Sequence, residues 1–132
     1  MFDSAHPLAS GWLWACVVVF TVVFGIPLTV APLRWARRFG WRVPDQAPEV
    51  AIYLGRCLGT VILVLAYLIA GAAMAPARSP WALQLLTLAG TGMTAVHAWG
   101  WARRIQPRSE NLETLGYAIV TAVSWWISGT VA

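Results

Sequence analysis

Within long apolar stretches, the 132-residue chain places an arginine, a histidine, a glutamate and two tyrosines that converge on a common depth: Tyr53, Arg56, His97, Glu113 and Tyr117. Such a set can hold a lipid headgroup or another anion, take a substrate, or relay protons. The plainer alternative is structural, with Arg56 snorkelling to the headgroups or pairing with Glu113 to fix packing. A charge deep in an apolar span costs on the order of 2–3 kcal/mol unless paired. Arg56 is therefore expected to be buried toward the third and fourth spans, in an ion pair with Glu113.

Other chemistries lack their residues. Disulfide exchange needs a C-x-x-C pair, whereas Cys16 and Cys57 lie in different halves of different spans. A disulfide between them would exceed the Cα separation of roughly 7 Å that the bond tolerates. A bis-histidine haem needs a second membrane histidine beside His97, and His6 stands alone in the N-terminal tail. A proton-coupled multidrug exporter needs a mid-membrane carboxylate, and the acidic residues are expected at or outside an interface. No His/Asp/Glu group shows metal-ligand spacing. No catalytic residue, metal or cofactor is assigned, and the protein is expected not to be an enzyme.

The elements that hold these side chains follow from composition. The chain is 59% apolar and 11% charged, with a mean hydropathy of +0.67. Soluble domains carry about a quarter charged residues, and disorder needs low hydrophobicity. The net charge of +4 does not indicate nucleic-acid binding, because the arginines flank apolar runs and form no open basic face. A membrane helix needs about 20 apolar residues. Four stretches qualify within a single domain, residues 1–132: about 11–33, 50–75, 81–102 and 112–132. The breaks are Pro32 to Pro48 (with Arg34, Arg37, Arg38, Arg42 and Asp45), the hairpin turn Pro76 to Pro80, and Arg103 to Glu110. The first stretch is expected to be a retained helix, since a signal peptide would have a basic residue before its apolar run. The expected fold is an all-α, four-helix transmembrane bundle.

Arginine supplies the orientation. The first and third breaks are arginine-rich, and the opposite side shows only Arg78. The positive-inside bias puts those breaks in the cytoplasm and both termini outside. Tryptophans at the span ends agree with this: Trp12, Trp14 and Trp81 outside, and Trp35, Trp41, Trp99 and Trp101 inside. Pro32 to Gly40 reads as a short interfacial helix, opened by proline and closed by glycine.

Small residues mark packing seams: Gly55-x-x-x-Gly59, Ala66-x-x-x-Ala70 and Gly90-x-x-x-Thr94-x-x-x-Ala98. Three polar stripes recur at helical spacing. They are Glu49, Tyr53, Arg56, Thr60 and Tyr67; Gln84, Thr87, Thr91, Thr94 and His97; and Glu110, Glu113, Tyr117, Thr121, Ser124 and Ser128. A polar group facing lipid goes unsatisfied, so the stripes are expected to face one another. The first span has no stripe and is expected to be peripheral, with a kink at Pro27.

The segment "FGIPLTVAPLRWARRFGWRVP", followed after a short gap by "YLGRCLGTVILVLAYLIAGAA", resembles the small four-helix membrane proteins of the DoxX-like group. There a P-x-x-x-A-x-x-x-G segment precedes a helix opening on R-x-L-G. The matching residues are Pro32, Ala36, Gly40, Arg56, Leu58 and Gly59, and the likeness covers about the first two spans. It implies a four-helix fold and the bacterial inner membrane, and some members of the group are implicated in quinone-linked redox complexes. The functional expectation is a multi-pass, non-enzymatic accessory or structural subunit, or a homo-oligomer, acting through its helix faces. Its partners would be membrane lipids and another membrane protein. The rival is a small transporter or lipid/quinone-binding protein using an inner-leaflet polar pocket.

Overall fold

Proline sets where several helices begin. The computed structural model describes residues 2–43 and 48–131. Helix α1 runs Pro7–Val30, α2 Pro32–Arg38 and α3 Glu49–Ala73. A 3-10 turn, Pro76–Arg78, leads to α4, Trp81–Arg103, and α5 is Arg108–Val131. Pro7, Pro32 and Pro76 stand at first positions, where a missing N–H leaves nothing unsatisfied. Among the described residues there is no strand, so the fold is all-α. Asp45 of the first break and Ala132 of the last span lie outside the described residues. Helices α1 and α3 are long and apolar enough to cross a membrane. Helices α4 and α5 have 23 and 24 residues, and their Thr, Ser, Gly and aromatic content makes them less apolar.

Pro27 breaks the α-helical register of α1. Its ring displaces the carbonyl four residues back and it has no N–H to offer. The preceding turn, Phe20–Gly25, is π-helical, a common accommodation of such a defect. The freed carbonyl of Val23 accepts the Trp35 indole N–H at 2.7 Å. Trp35 also packs against Phe24 and Phe39, with ring centroids 5.9 and 4.7 Å apart. The irregular turn is thereby fixed against α2. Gly40, with φ +82°, ends the α2 segment, a conformation that favours glycine.

The four long helices form two intimate pairs, α1 with α3 and α4 with α5. Small residues make both pairs possible. A Cβ on Gly59 of α3 would lie 2.6 Å from the Thr29 backbone nitrogen of α1. One on Gly90 of α4 would lie 3.2 Å from that of Thr121 on α5. The pairs join at one end, where Ala9, Leu13 and Cys16 meet Ile69, Ala72, Ala73, Ala82, Leu83, Leu86 and Ile127. Two hydrogen bonds cross this closed end. Ser10 Oγ donates to the Ala73 carbonyl at 2.8 Å, and Trp12 Nε1 donates to Ser124 Oγ at 2.9 Å. Helix α1 is therefore not peripheral: its N-terminal half is central, because packing here needs small residues more than a polar stripe.

The polar stripes do not all face inward either. Glu49, Tyr53, Arg56, Thr60 and Tyr67 lie exposed along the outside of α3. The other side of that helix, with Gly55, Gly59 and Ala66, is turned inward. Much of the stripes' polarity is satisfied within each helix. Thr60, Thr87, Thr91, Thr94 and Thr121 each donate to the carbonyl four residues back, a local bond that removes the need for a partner helix.

Candidate ligand pocket and its polar end

Away from the closed end, the two helix pairs diverge around a cavity of about 390 Å³. Its walls are mainly apolar, including Phe20, Phe24, Leu58, Leu65, Ala89 and Met93. Trp41, His97, Glu110, Glu113 and Tyr117 reach it at one end. This places the polar groups beside the arginine-bearing connections rather than in the middle of the bundle.

The hairpin between α4 and α5 assembles that end. Arg104 takes the left-handed conformation, φ 54°, and reverses the chain. Gln106 then folds back, donating to the His97 carbonyl and to Asn111 Oδ1, both at 3.0 Å. Gly100 leaves room for it, since a Cβ there would collide with the Gln106 side chain. Ser109 Oγ donates to the Phe39 carbonyl, which ties the start of α5 to the end of α2. Helix α5 thus begins before Glu110, and Glu110 and Glu113 project from consecutive turns toward His97.

His97 is 7% exposed and Glu110 is 4% exposed. His97 Nδ1 lies 2.8 Å from the Met93 carbonyl. A carbonyl only accepts, so Nδ1 carries the proton of that bond, and Nε2 is the ring position turned to the carboxylates, where it hydrogen-bonds Glu110. Nε2 lies 3.1 Å from Glu110 Oε2 and 3.7 Å from Glu113 Oε2. The second Glu110 oxygen accepts the Trp41 indole N–H at 2.7 Å. Glu113 Oε1 is buried without a hydrogen-bond partner. The Tyr117 ring packs beside the imidazole, with centroids 5.0 Å apart. Together these groups can take a hydrogen-bond donor or a cation at the end of an apolar chamber.

Of the five residues singled out from the sequence, His97, Glu113 and Tyr117 come together. Tyr53 and Arg56 do not. Both are exposed on α3, and among the described residues Arg56 forms no ion pair. The expected Arg56–Glu113 contact is replaced by His97 between two carboxylates. The reason is the orientation of α3, whose glycine seam rather than its polar stripe is turned inward. The expectation that no His/Asp/Glu group has ligand spacing is also overturned. Donor atoms of His97, Glu110 and Glu113 all lie within 4.8 Å of one another. Glu110 stands with Glu113 in the third polar stripe by its i,i+3 spacing, but it also closes the Arg103 to Glu110 break and so falls outside the five residues singled out. Trp41 reads from sequence as an interfacial anchor, and nothing local shows that its indole reaches Glu110.

No family model, curated protein or solved structure matches this chain.

Proposed function

We propose that this protein is a multi-pass protein of the bacterial inner membrane that binds an amphiphile of the lipid or quinone class between its two helix pairs. The observation that carries this reading is the cavity of about 390 Å³ with polar groups at one end. Small-molecule sites typically occupy about 300–1,000 Å³ and combine apolar walls with a few convergent polar groups. The apolar body of the ligand lies along Phe24, Leu58 and Leu65. Its head group, an ammonium or the hydroxyl of a quinol (the reduced quinone), donates hydrogen bonds to, or carries positive charge toward, Glu110 and Glu113. Binding is the role assigned, and no residue is assigned a catalytic one.

The membrane setting draws on the outer surface. Leu88 and Leu112 are 72% and 75% exposed, and apolar surface on this scale seeks lipid or a partner. The threonine hydroxyls of α4 and α5 are satisfied within their own helices, so these helices too can face hydrocarbon. All four long helices then span, and the arginine bias puts both termini outside. The DoxX-like resemblance of the first two spans fits the same setting.

A second reading, an accessory subunit or homo-oligomer, is favoured by one observation: the outward stripe of α3. Tyr53 and Tyr67 are 67% and 79% exposed, with Arg56 and Thr60 on the same face. A helix of another membrane protein, or of a second copy, would cover that stripe. The two readings separate on purification in mild detergent, with mass spectrometry of co-purifying lipids, quinones and proteins. The pocket reading expects an amphiphile near one per chain, lost in Ala89→Trp, which fills the cavity. A protein partner lost in Arg56→Ala, with no bound amphiphile, favours the second reading instead.

A further inference from the structure

We infer that His97, Glu110 and Glu113 form a binding site for one divalent transition-metal ion, of the Zn²⁺ class, at the polar end of the cavity. The three side chains supply one nitrogen and two oxygens from two helices, with donor atoms within 4.8 Å of one another. Ligands about 2.0–2.2 Å from a tetrahedral ion lie roughly 3.3 Å apart. The 3.1 and 3.7 Å separations from His97 Nε2 to the two carboxylates bracket that spacing.

The surrounding contacts orient these groups as the outer shell of a metal site does. The Met93 carbonyl accepts a hydrogen bond from Nδ1–H at 2.8 Å and turns Nε2 toward the carboxylates, where an ion takes the place of the Nε2 proton that now faces Glu110. The Trp41 indole holds one oxygen of Glu110 at 2.7 Å and leaves Oε2 facing Nε2. Glu113 keeps a buried oxygen with no hydrogen-bond partner. Among the described residues no arginine pairs with either carboxylate. A dication between them balances charge that one imidazole cannot.

The donor set also limits which metal fits. Imidazole with carboxylates suits Zn²⁺, Fe²⁺ or Mn²⁺, and the absence of thiolate disfavours Cu⁺. Three protein ligands leave a fourth position, which here faces the cavity. The role of that open position in holding a ligand's head group rests on the pocket reading. The donor geometry stands without it.

The test uses the full chain, purified in mild detergent, stripped with a chelator and titrated with Zn²⁺ alone by calorimetry. Co²⁺ absorption serves as a second probe. One ion per chain is expected, with affinity at least tenfold weaker in Glu110→Gln and Glu113→Gln. Trp41→Phe touches no ion and keeps the test valid if the glutamine variants fold poorly; it should weaken binding about tenfold by releasing Glu110. Ala89→Trp lies about 12 Å along α4 from His97 and should keep the ion while excluding an amphiphile. Absence of stoichiometric Zn²⁺ binding by the wild type overturns the metal site, as does a Co²⁺ spectrum matching the free aqueous ion. Undiminished binding in the folded variants overturns it too. If the ion fails while an amphiphile still co-purifies, the metal site falls alone; the reverse result removes the pocket and leaves the metal site.

Discussion

The two ends of the bundle are built from opposite materials. At the closed end, Ala9, Ala72, Ala73 and Ala82 let the backbones approach, and Leu13, Leu83 and Ile127 fill what remains. Hydrogen bonds from Ser10 and Trp12 cross between helices there. At the open end, Phe20, Phe24, Trp35 and Trp41 stand where the closed end has alanine, and the helix pairs leave a half-open cavity between them. Small residues close that end, because backbones without bulky side chains between them approach closely and gain van der Waals contact. Bulky residues around a polar cluster hold it open. One end is closely packed, and the other leaves room for the proposed ligand.

That contrast is broken most readily by truncating a leucine at each end. Leu13→Ala removes contacts on every side at a fully buried position and should cost about 2–5 kcal/mol. Leu65→Ala removes a side chain that already borders the cavity and should cost about 1 kcal/mol, because fewer neighbours are lost. Thermal unfolding in one detergent compares them directly. Equal losses would mean that the open end is packed as tightly as the closed one.

Next in size is the α1–α3 seam. Gly59→Leu drives a side chain into Thr29 and the Gly25 carbonyl and should destabilise by roughly 1–3 kcal/mol. A melting temperature equal to wild type would mean that α1 and α3 separate without cost. A smaller effect is expected from Ser124→Ala, which leaves the part-buried Trp12 indole N–H without its partner, at about 1 kcal/mol. The smallest belongs to Arg56. Arg56→Leu should change stability by less than about 0.5 kcal/mol, and a double-mutant cycle with Glu113→Gln should show coupling below about 0.5 kcal/mol. Larger coupling would restore the ion pair that the structure lacks.

The same comparison shows how much the sequence reveals. Proline and arginine mark the helix breaks plainly, and the glycine seams at Gly59 and Gly90 are legible by spacing alone. His97, Glu113 and Tyr117 could be placed near one another because a short hairpin returns the chain at the same level. Other features were hidden for physical reasons. Polar periodicity does not reveal which way a helix faces when its hydroxyls bond to their own backbone, so the α3 stripe appeared to point inward. Helix starts are also poorly marked, so Glu110 reads both as the end of a connection and as the first member of a stripe, and it occupies the first turn of α5. The role of Trp41 depends on a contact 69 residues away in sequence, which no local pattern encodes. The central position of α1 was hidden likewise, because its closed-end contacts come from small and apolar residues with no polar stripe.

The binding account is tested most directly by mass spectrometry of the wild type and Ala89→Trp, purified side by side in mild detergent. It predicts one lipid- or quinone-class molecule per wild-type chain and none above background in Ala89→Trp, with both proteins folded to the same extent. An empty wild type would contradict the account. So would a filled-cavity variant that retains the same molecule at the same stoichiometry, since the ligand would then lie on the outer surface.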